Sequence, residues 1–390
     1  MSAWTNWSGG VVVPDARTAT PGNEAAVAET VAELAPGAVL RAVGSGHSFV
    51  PFWGPGDRLL DLRDLAGLRA VEGDRVTLGA GTPLHAVGPL LAPHGLALAN
   101  QGDIDRQTVA GAVATGTHGT GRGLGSLSSL VRRLRLVDGT GAVRVLEEDD
   151  ALAAGRVSLG LLGVVTEVTL GAVPAYGLHE RNVVEEVGTT LDALEARLAA
   201  HRHHEFWWIP REDRCIAKTL DAVELPAAPR LEEVPFGEAG ERWGASWQVF
   251  PSARERRFEE LEYAVPAGEG PACFRALRAV LREAFPKLPW PVEYRVVAGD
   301  DGWLSPTAGQ EVAAISVHQD ARRDPAALFE AAEAVFRDFG GRPHWGKRHG
   351  LDATALAERY PRLPDFLALR GRLDPQDRFL TAWLRSRLGG

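Results

Sequence analysis

The sequence has few of the residues that build disulfides, metal clusters or basic surfaces. Its 390 residues include only two cysteines, so neither a disulfide framework nor a four-cysteine zinc site can form. Lysine is equally scarce: Lys218, Lys287 and Lys347 are the only three, which a GC-rich genome that favours arginine would explain. The 51 acidic residues outnumber the 42 basic ones and give a net charge of -9, which disfavours a general nucleic-acid-binding protein.

Long apolar runs are absent as well. No stretch approaches the roughly 20 apolar residues that a membrane-spanning helix requires, and the first residues lack the basic and apolar regions of a secretory signal. We therefore expect a cytoplasmic protein without a membrane span. The remaining composition, 45% hydrophobic and 24% charged, is typical of a folded protein long enough for about two domains.

The order of strand and helix patterns in the sequence changes near residue 172. Before it, short apolar runs alternate with helical patterns and glycine-rich turns, which indicates mixed strands and helices. After it, the order of strand and helix patterns indicates one antiparallel sheet covered by helices. We predict an α+β protein with a first domain over 1–172, a second over 173–340, and a C-terminal segment over 341–390 that returns to the first domain.

Two glycine-rich segments could together enclose a phosphate group. The first, at 43–49, follows a strand pattern and reads V-G-S-G-H-S-F; the second, at 111–121, reads G-A-V-A-T-G-T-H-G-T-G. Glycines let backbone N–H groups turn toward an anion. The first segment does not fit the fingerprint of nicotinamide dehydrogenases, because Phe49 stands at the third glycine position and no helix pattern follows. Each segment alone is also typical of an ordinary turn.

Charged side chains on three later segments form a second group. In the strand pattern at 292–297, the period of two places Glu293 and Arg295 on one face, which by itself is typical of a salt bridge or a solvated face. The strand pattern at 313–320 places His318 and Asp320 together in the same way. The third segment, at 342–347, follows a helix pattern that ends in glycines, and it reads R-P-H-W-G-K with Lys347 last.

These motifs together resemble the FAD-binding oxidoreductases of the vanillyl-alcohol oxidase superfamily. The resemblance rests on the two glycine-rich segments, on D-I-D-R-Q-T-V-A-G-A at 103–112, and on S-L-G-L-L-G-V-V-T-E-V at 158–168. It is strongest for the sugar-1,4-lactone oxidase branch, which includes L-gulonolactone and D-arabinono-1,4-lactone oxidases, with alditol oxidases close by. It covers nearly the whole chain and implies an α+β FAD-binding domain joined to a cap domain.

The resemblance implies an FAD cofactor that is bonded covalently, through the flavin 8α carbon, to His47. Such a bond requires a neutral imidazole as the nucleophile, although a lone loop histidine more often bonds only to the backbone. The other residues implied at the cofactor are Val43, Gly44, Ser45, Gly46, Ser48, Phe49, Gly111, Ala112, Thr115, Gly116, Thr117, His118, Gly119, Val165 and Lys347. Of these, His118 is expected to stiffen its loop without a catalytic role.

The resemblance also implies four catalytic residues: Glu293, Arg295, His318 and Lys347. Alcohol oxidation needs a base for the hydroxyl proton, and His318 and Lys347 both remain candidates. Substrate binding is assigned to Thr108, Glu293, Arg295 and Asp320, although relatives often have threonine or an aromatic residue where Asp320 stands. The motifs at 262–266 and 373–380 are expected to be structural. No metal site is expected, since H-R-H-H at 201–204 lacks completing ligands.

The expected function is oxidation of a hydroxyl on an aldono-1,4-lactone, with hydride transfer to flavin N5. Electrons would then pass to O2, giving hydrogen peroxide, or to another acceptor. An alditol oxidase acting on xylitol or sorbitol is the alternative. A flavin-binding electron carrier without catalysis is a further one, disfavoured because a pure binder has no need for the four catalytic residues. The sequence indicates no partner beyond a small sugar-derived substrate and an acceptor, and it leaves the oligomeric state open.

Overall fold

The structure is a computed structural model that describes residues 3–147, 149–252 and 256–389. The strands in these residues are β1 Trp4–Thr5, β2 Val12–Val13, β3 Arg17–Ala19, β4 Leu40–Val43, β5 Arg58–Asp61, β6 Leu68–Glu72, β7 Arg75–Gly79, β8 Leu96–Ala97, β9 Val131–Val137, β10 Val143–Leu146, β11 Val164–Gly171, β12 Val173–Pro174, β13 Gly177–Glu186, β14 His203–Ile209, β15 Arg214–Val223, β16 Gly240–Ala245, β17 Phe258–Pro266, β18 Val292–Val297, β19 Val312–Asp320 and β20 Arg342–Pro343. The helices are α1 Glu24–Ala32, α2 Leu84–Leu91, α3 Val109–Thr115, α4 Asp149–Arg156, α5 Val187–Ala200, α6 Ser246–Val249, α7 Gly270–Ala284, α8 Ala326–Asp338, α9 Ala353–Arg359, α10 Leu363–Leu373 and α11 Ala382–Leu388.

Two larger sheets build the first part of the chain. Strands β3, β5 and β4 form a parallel sheet, and β10, β9, β11, β7 and β6 form an antiparallel one. Helix α1 joins them, because its buried Val27 and Val31 belong to the same apolar cluster as Leu60 of β5 and Val137 of β9. The predicted mixture of strands and helices before residue 172 is confirmed.

The second glycine-rich segment is half helical, so the prediction of a loop over 111–121 is wrong for its first half. Helix α3 occupies Val109–Thr115 and ends at Gly116, whose φ of 76° is a left-handed conformation that favours glycine. Three alanines favour this helix, and Gly111 in its interior costs only about 1 kcal/mol relative to alanine. The loop itself therefore begins at Gly116.

One eight-stranded antiparallel sheet dominates the rest of the chain, in the order β16-β13-β15-β14-β18-β19-β17-β20. Helices α7 and α8 cover one face of it. There, Tyr294 of β18 packs against Phe274 of α7, and Tyr263 of β17 stacks on Phe336 of α8. Because side chains alternate along a strand, the residues on either side of these tyrosines face away from the helices. The predicted antiparallel sheet covered by helices is confirmed.

The register of the sheet aligns polar residues on this other face. Glu293 of β18 lies opposite Ser316 of β19, which lies opposite Glu262 of β17, and His318 lies opposite Glu260 in the next row. The sequence analysis named only residues 262–266 of β17. Glutamates that alternate with apolar residues are typical of a strand with one solvated face, so the pattern did not indicate a strand at the centre of the protein. Here almost every residue of β17 is buried on both faces.

The segment at 373–380 contacts the first part of the chain. The Leu40 N–H donates to the carbonyl of Arg378 at 2.8 Å, and Arg41 Nη1 donates to the carbonyl of Phe379 at 3.0 Å. The last strand of the eight-stranded sheet, β20, lies just beyond residue 340, where the second domain is predicted to end. Among the described helices, none is long and apolar enough to cross a membrane.

Candidate active site

Two cavities meet in the structure. The larger, of about 540 Å³, is lined by polar residues of the eight-stranded sheet. The smaller, of about 120 Å³, lies between the two glycine-rich segments. His47, Ser48, Gln107 and Thr115 line both cavities. A single ligand could therefore extend from the glycine-rich segments to the face of the sheet.

The structure gathers most of the predicted cofactor residues around these cavities. Those lining the smaller one are Val43, Gly44, Ser45, Gly46, His47, Ser48, Gly111, Thr115 and Val165. Those lining the larger one are His47, Ser48, Phe49, Thr115, Thr117, His118 and Lys347. Three predicted residues line neither cavity in the described part of the chain: Ala112, Gly116 and Gly119.

Glycines let the segments around the smaller cavity pack closely against Thr108. A Cβ at Gly44 would lie 2.4 Å from Thr108 Oγ1, and a Cβ at Gly111 would lie 3.1 Å from the same atom. Thr108, which was predicted to bind substrate, lines this smaller cavity beside the glycines. Its neighbour Gln107 was not singled out from the sequence, although its side chain lines both cavities and donates to Thr117 Oγ1 at 3.1 Å.

His47 has the environment expected of a nucleophilic imidazole. Its Nδ1 is buried and has no hydrogen-bond partner among the described residues, and its ring stacks on Trp7 with the centroids 5.2 Å apart. Burial lowers the pKa of His47 to about 4, helped by the charges of Lys347 and Arg106. The ring is therefore neutral at pH 7. A buried nitrogen without a partner costs free energy, which a ligand bonded at this atom would remove.

Arg295 lies between two buried carboxylates on the sheet face. Its Nη2 is 2.6 Å from Glu262 Oε2 and 3.1 Å from Glu293 Oε2. The Ser316 hydroxyl is within 3.3 Å of both of these oxygens. Burial disfavours the charge on Arg295, but the two carboxylates outweigh it and raise its pKa above the ordinary value. The guanidinium therefore stays charged inside the cavity.

The two carboxylates differ in protonation. Burial raises the pKa of Glu293 to about 8, because Arg295 offsets only part of the cost and other acidic side chains add to it. Burial also acts on Glu262, but His118 and Arg295 outweigh it and hold the pKa of Glu262 well below its ordinary value. At pH 7, Glu262 is thus an anion, whereas Glu293 is mostly neutral and keeps a buried Oε1 that no described residue contacts by a hydrogen bond.

His318 lines the larger cavity. Its Nδ1 lies 3.0 Å from the carbonyl oxygen of Pro291, and a carbonyl can only accept, so Nδ1 carries a hydrogen. Nε2 is 3.6 Å from Glu260 Oε1. Proton exchange at this ring would therefore take place at Nε2, whereas the sequence left the base role open between His318 and Lys347.

Lys347 is held as a cation at the same end of the cavity. Its Nζ pairs with Glu260 and lies 5.1 Å from the centre of the Phe49 ring. Burial acts to raise the pKa of Glu260, but Lys347 and His318 outweigh it, so that this pKa is lowered. The pair therefore stays ionic. The charge of Lys347 contributes to the low pKa of His47.

Strand β17 supplies two carboxylates that sequence reasoning did not place in the site. Glu262 was expected to be structural, and the structure places it in the lining of the larger cavity, paired with Arg295. Glu260, which was not considered, lines the same cavity and binds Lys347. The signal was the period of two over 258–262, which puts both glutamates and Phe258 on one face. His344, in the lysine motif, also lines the cavity.

The larger cavity has an excess of acidic side chains. Among the described residues that line it, six are acidic and three are permanently basic: Asp103, Glu233, Glu260, Glu262, Glu293 and Asp320 against Arg256, Arg295 and Lys347. Asp320, at the cavity edge, is 2.7 Å from Arg322, whose hydrogen bonds lower the pKa of this carboxyl. A field of this sign favours neutral ligands over anions.

One ligand-type atom each from Glu260, Glu293 and His318 lie within 4.8 Å of one another. Carboxylates with an imidazole can bind a divalent cation. Here Lys347 and Arg295 already pair with the two carboxylates, so the group has protein cations as its partners. The absence of a metal site stays a prediction.

Family models and relatives along the chain show that the protein is an FAD-dependent oxidoreductase. Residues 15–147 match the family model described as an FAD binding domain. Residues 168–239 and 233–387 match the model described as D-arabinono-1,4-lactone oxidase. The chain therefore belongs to the D-arabinono-1,4-lactone oxidase family, as its motifs predicted.

Relatives along the whole chain agree with this family. The L-gulono-1,4-lactone dehydrogenase of Mycobacterium tuberculosis (strain ATCC 25618 / H37Rv) is 36% identical over 99% of both chains. The alditol oxidase of a Streptomyces species is 31% identical over 100% of both. The L-gulonolactone oxidase of Mus musculus is 29% identical over 88% of both. The fold is that of cholesterol oxidase from Brevibacterium sterolicum (TM-score 0.84, 18% identity, 99% of this chain and 96% of that chain).

The residues around the cavities fit FAD. The smaller cavity is lined by glycines from three segments of the chain, Gly44, Gly46, Gly111, Gly160 and Gly163. Glycine backbone can lie in close contact with a diphosphate. The junction of the cavities offers His47 with its unpartnered Nδ1. The larger cavity offers the polar sheet face, where a flavin ring and a substrate could lie together.

Proposed function

We propose that the protein oxidises a hydroxyl of an aldono-1,4-lactone of the L-gulono, L-galactono or D-arabinono type to a carbonyl. The observation that carries this proposal is the convergence of His318 Nε2, the Arg295–Glu293 pair and Lys347 in a cavity that is continuous with His47. A base, a cation and hydroxyl-binding groups are the parts that alcohol oxidation needs. FAD, when bound, supplies the acceptor for the hydride.

The side chains of the sheet face bind the substrate, remove its proton and stabilise the developing charge. Arg295 donates hydrogen bonds to substrate oxygens, and the neutral carboxyl of Glu293 can both accept from and donate to a hydroxyl. Nε2 of His318 removes the hydroxyl proton, and the nearby Glu260 carboxylate stabilises the imidazolium that forms. Lys347 stabilises the negative charge that develops on the substrate oxygen.

Alditols are the second candidate substrates. The acidic side chains that line the larger cavity offer oxygens that can accept hydrogen bonds from hydroxyls of a linear polyol, and the alditol oxidase relative matches the whole chain. For the electron acceptor we propose O2, giving hydrogen peroxide, with another acceptor as the alternative, since the names of the relatives include both oxidases and a dehydrogenase.

Anaerobic mixing with a panel of lactones and alditols tests the substrate class. We expect L-gulono-, L-galactono- or D-arabinono-1,4-lactone to bleach the flavin absorbance faster than xylitol or sorbitol does. Faster bleaching by the alditols would assign the protein to them instead. No bleaching by any member of the panel would contradict both proposals and support a flavin carrier. Admitting air afterwards and measuring peroxide would then test O2 as the acceptor.

We further propose that FAD is bonded covalently to His47. The neutral ring and its unpartnered Nδ1 support this bond. After precipitation in acid, the yellow colour of the wild-type protein should stay with the polypeptide. His47→Ala should bind FAD before this treatment and release it afterwards. Free FAD in the wild-type supernatant would contradict the covalent bond and leave the cofactor assignment intact.

A further inference from the structure

Glu262 contacts three side chains from different segments through its two carboxylate oxygens. Oε2 accepts from Arg295 Nη2 at 2.6 Å and lies 3.1 Å from Ser316 Oγ. Oε1 lies 2.9 Å from Nε2 of His118, which comes from the second glycine-rich segment. Both oxygens of Glu262 are therefore engaged by the protein, whereas Glu293 keeps one oxygen without a described partner. Of the two carboxylates at Arg295, Glu293 is the one suited to contact a substrate.

The His118 ring lies between two oxygen atoms. Nδ1 lies 2.9 Å from the carbonyl oxygen of Gly119, and Nε2 lies 2.9 Å from Glu262 Oε1. A carboxylate that already accepts from Arg295 also accepts from an imidazole N–H. The carboxylate of Glu262 is therefore held from two sides, by Arg295 and by His118.

Glu262 is also the stronger of the two partners of Arg295. Its oxygen is 2.6 Å from Nη2, against 3.1 Å for that of Glu293. A hydrogen bond between two ions is roughly twice as strong as one between neutral groups, and at pH 7 only Glu262 is fully ionised. Without Glu262, the guanidinium would have no fixed anionic partner and could turn away from its present direction.

We propose that Glu262 is a positioning residue, which fixes the Arg295 guanidinium for substrate binding and is itself fixed by His118. The inference rests on the function proposed above, because it gives Glu262 a role through Arg295. It also gives His118, which sequence analysis expected only to stiffen its loop, a contact with the larger cavity through Glu262.

Glu262→Gln should lower kcat/KM by about tenfold or more, the worth of one charge-assisted hydrogen bond. The substitution keeps the size of the side chain and removes its charge. Glu259→Gln is the matched control: Glu259 is another buried glutamate on β17, and it pairs with Arg348 at 2.6 Å outside the set of described cavity residues. This control should remain within about twofold of wild type, because side chains alternate along a strand and that of Glu259 lies on the face opposite to Glu262.

A double-mutant cycle separates positioning from a general effect on the fold. In an Arg295→Ala background, Glu262→Gln should change the rate of anaerobic flavin reduction by less than about twofold, because its only route to the substrate is already gone. A full additional loss in that background would overturn the proposal, as would wild-type kinetics for Glu262→Gln alone. If Glu262→Gln does not fold, His118→Phe replaces it in the same cycle. A full additional loss in the Arg295→Ala background, or wild-type kinetics for His118→Phe alone, would then overturn the proposal.

A second measurement does not depend on turnover. In nitrogen-15 spectra, the Nη signals of Arg295, assigned by their loss in Arg295→Ala, should be resolved in wild type and in Glu259→Gln and broadened in Glu262→Gln. Unchanged Arg295 signals in Glu262→Gln would overturn the positioning role. Failure of the proposed function looks different: no substrate would then bleach the wild-type flavin, while these spectra would still respond to the substitution.

Discussion

Arg295→Ala should lower kcat/KM by about a hundred- to a thousandfold, the range found when one preorganised donor is lost from an active site. The substitution removes the guanidinium that binds substrate oxygens and leaves Glu262 without its main partner. Loss of one partner of a buried ion pair costs about 3–5 kcal/mol of stability, so we also expect a lower melting temperature. The flavin should remain bound, because Arg295 does not line the smaller cavity among the described residues.

The measurement is the rate of anaerobic flavin reduction at several substrate concentrations, normalised to bound flavin so that unfolded protein does not count. Arg348→Ala is the matched control, since it breaks a comparable pair with Glu259 at 2.6 Å on the same strand. Arg295→Lys should fall between the two, because lysine keeps the charge and loses the planar fork. Reduction of Arg295→Ala at nearly the wild-type rate would remove Arg295 from the site.

Lys347→Arg should fold and bind flavin, yet reduce it about ten- to a hundredfold more slowly, because a misplaced charge stabilises the reacting oxygen less well. Lys347 enters the site as a compact ammonium, paired with Glu260 and lying over the Phe49 ring. A guanidinium is planar, wider and spread over several atoms. It can keep the pair with Glu260 only by moving its charge away from the place that Nζ occupies.

Lys218→Arg is the control for this substitution. Lys218 is also buried and also paired with a glutamate, with its Nζ 2.9 Å from Glu205 Oε1, but it is not among the described residues that line either cavity. Exchange of lysine for arginine there should leave flavin reduction within about threefold of wild type, because arginine keeps the positive charge that pairs with Glu205. If Lys347→Arg reduced its flavin as fast as Lys218→Arg does, the proposed role of Lys347 at the reacting oxygen would be contradicted.

Local patterns in the sequence were sufficient for part of the site. The period of two correctly paired Glu293 with Arg295 on one face of β18, and the glycine motif correctly placed His47 at a cavity. Both predictions depend on residues close together in the chain. The fold class followed for the same reason, since strand and helix patterns are local.

The contacts that set the chemistry come from distant segments, and the sequence could not reveal them. Glu262 meets His118 across 144 positions and Arg295 across 33, and only the strand order β18-β19-β17 brings them together. The hydrogen on Nδ1 of His318 is directed to the Pro291 carbonyl, 27 positions away. The pKa of Glu293 depends on burial, which a local pattern of alternating polar residues does not indicate.

The acidic lining of the larger cavity has a consequence for the supply of substrate. Aldonolactones hydrolyse in water to open-chain aldonates, which carry a carboxylate that the lactone lacks. Even with Glu293 mostly neutral, five other acidic side chains outnumber three basic ones among the described residues that line the cavity, so an aldonate must enter against a field of its own sign. The enzyme would thus distinguish fresh lactone from its hydrolysis product by charge alone, and an accumulating pool of aldonate would compete little for the site.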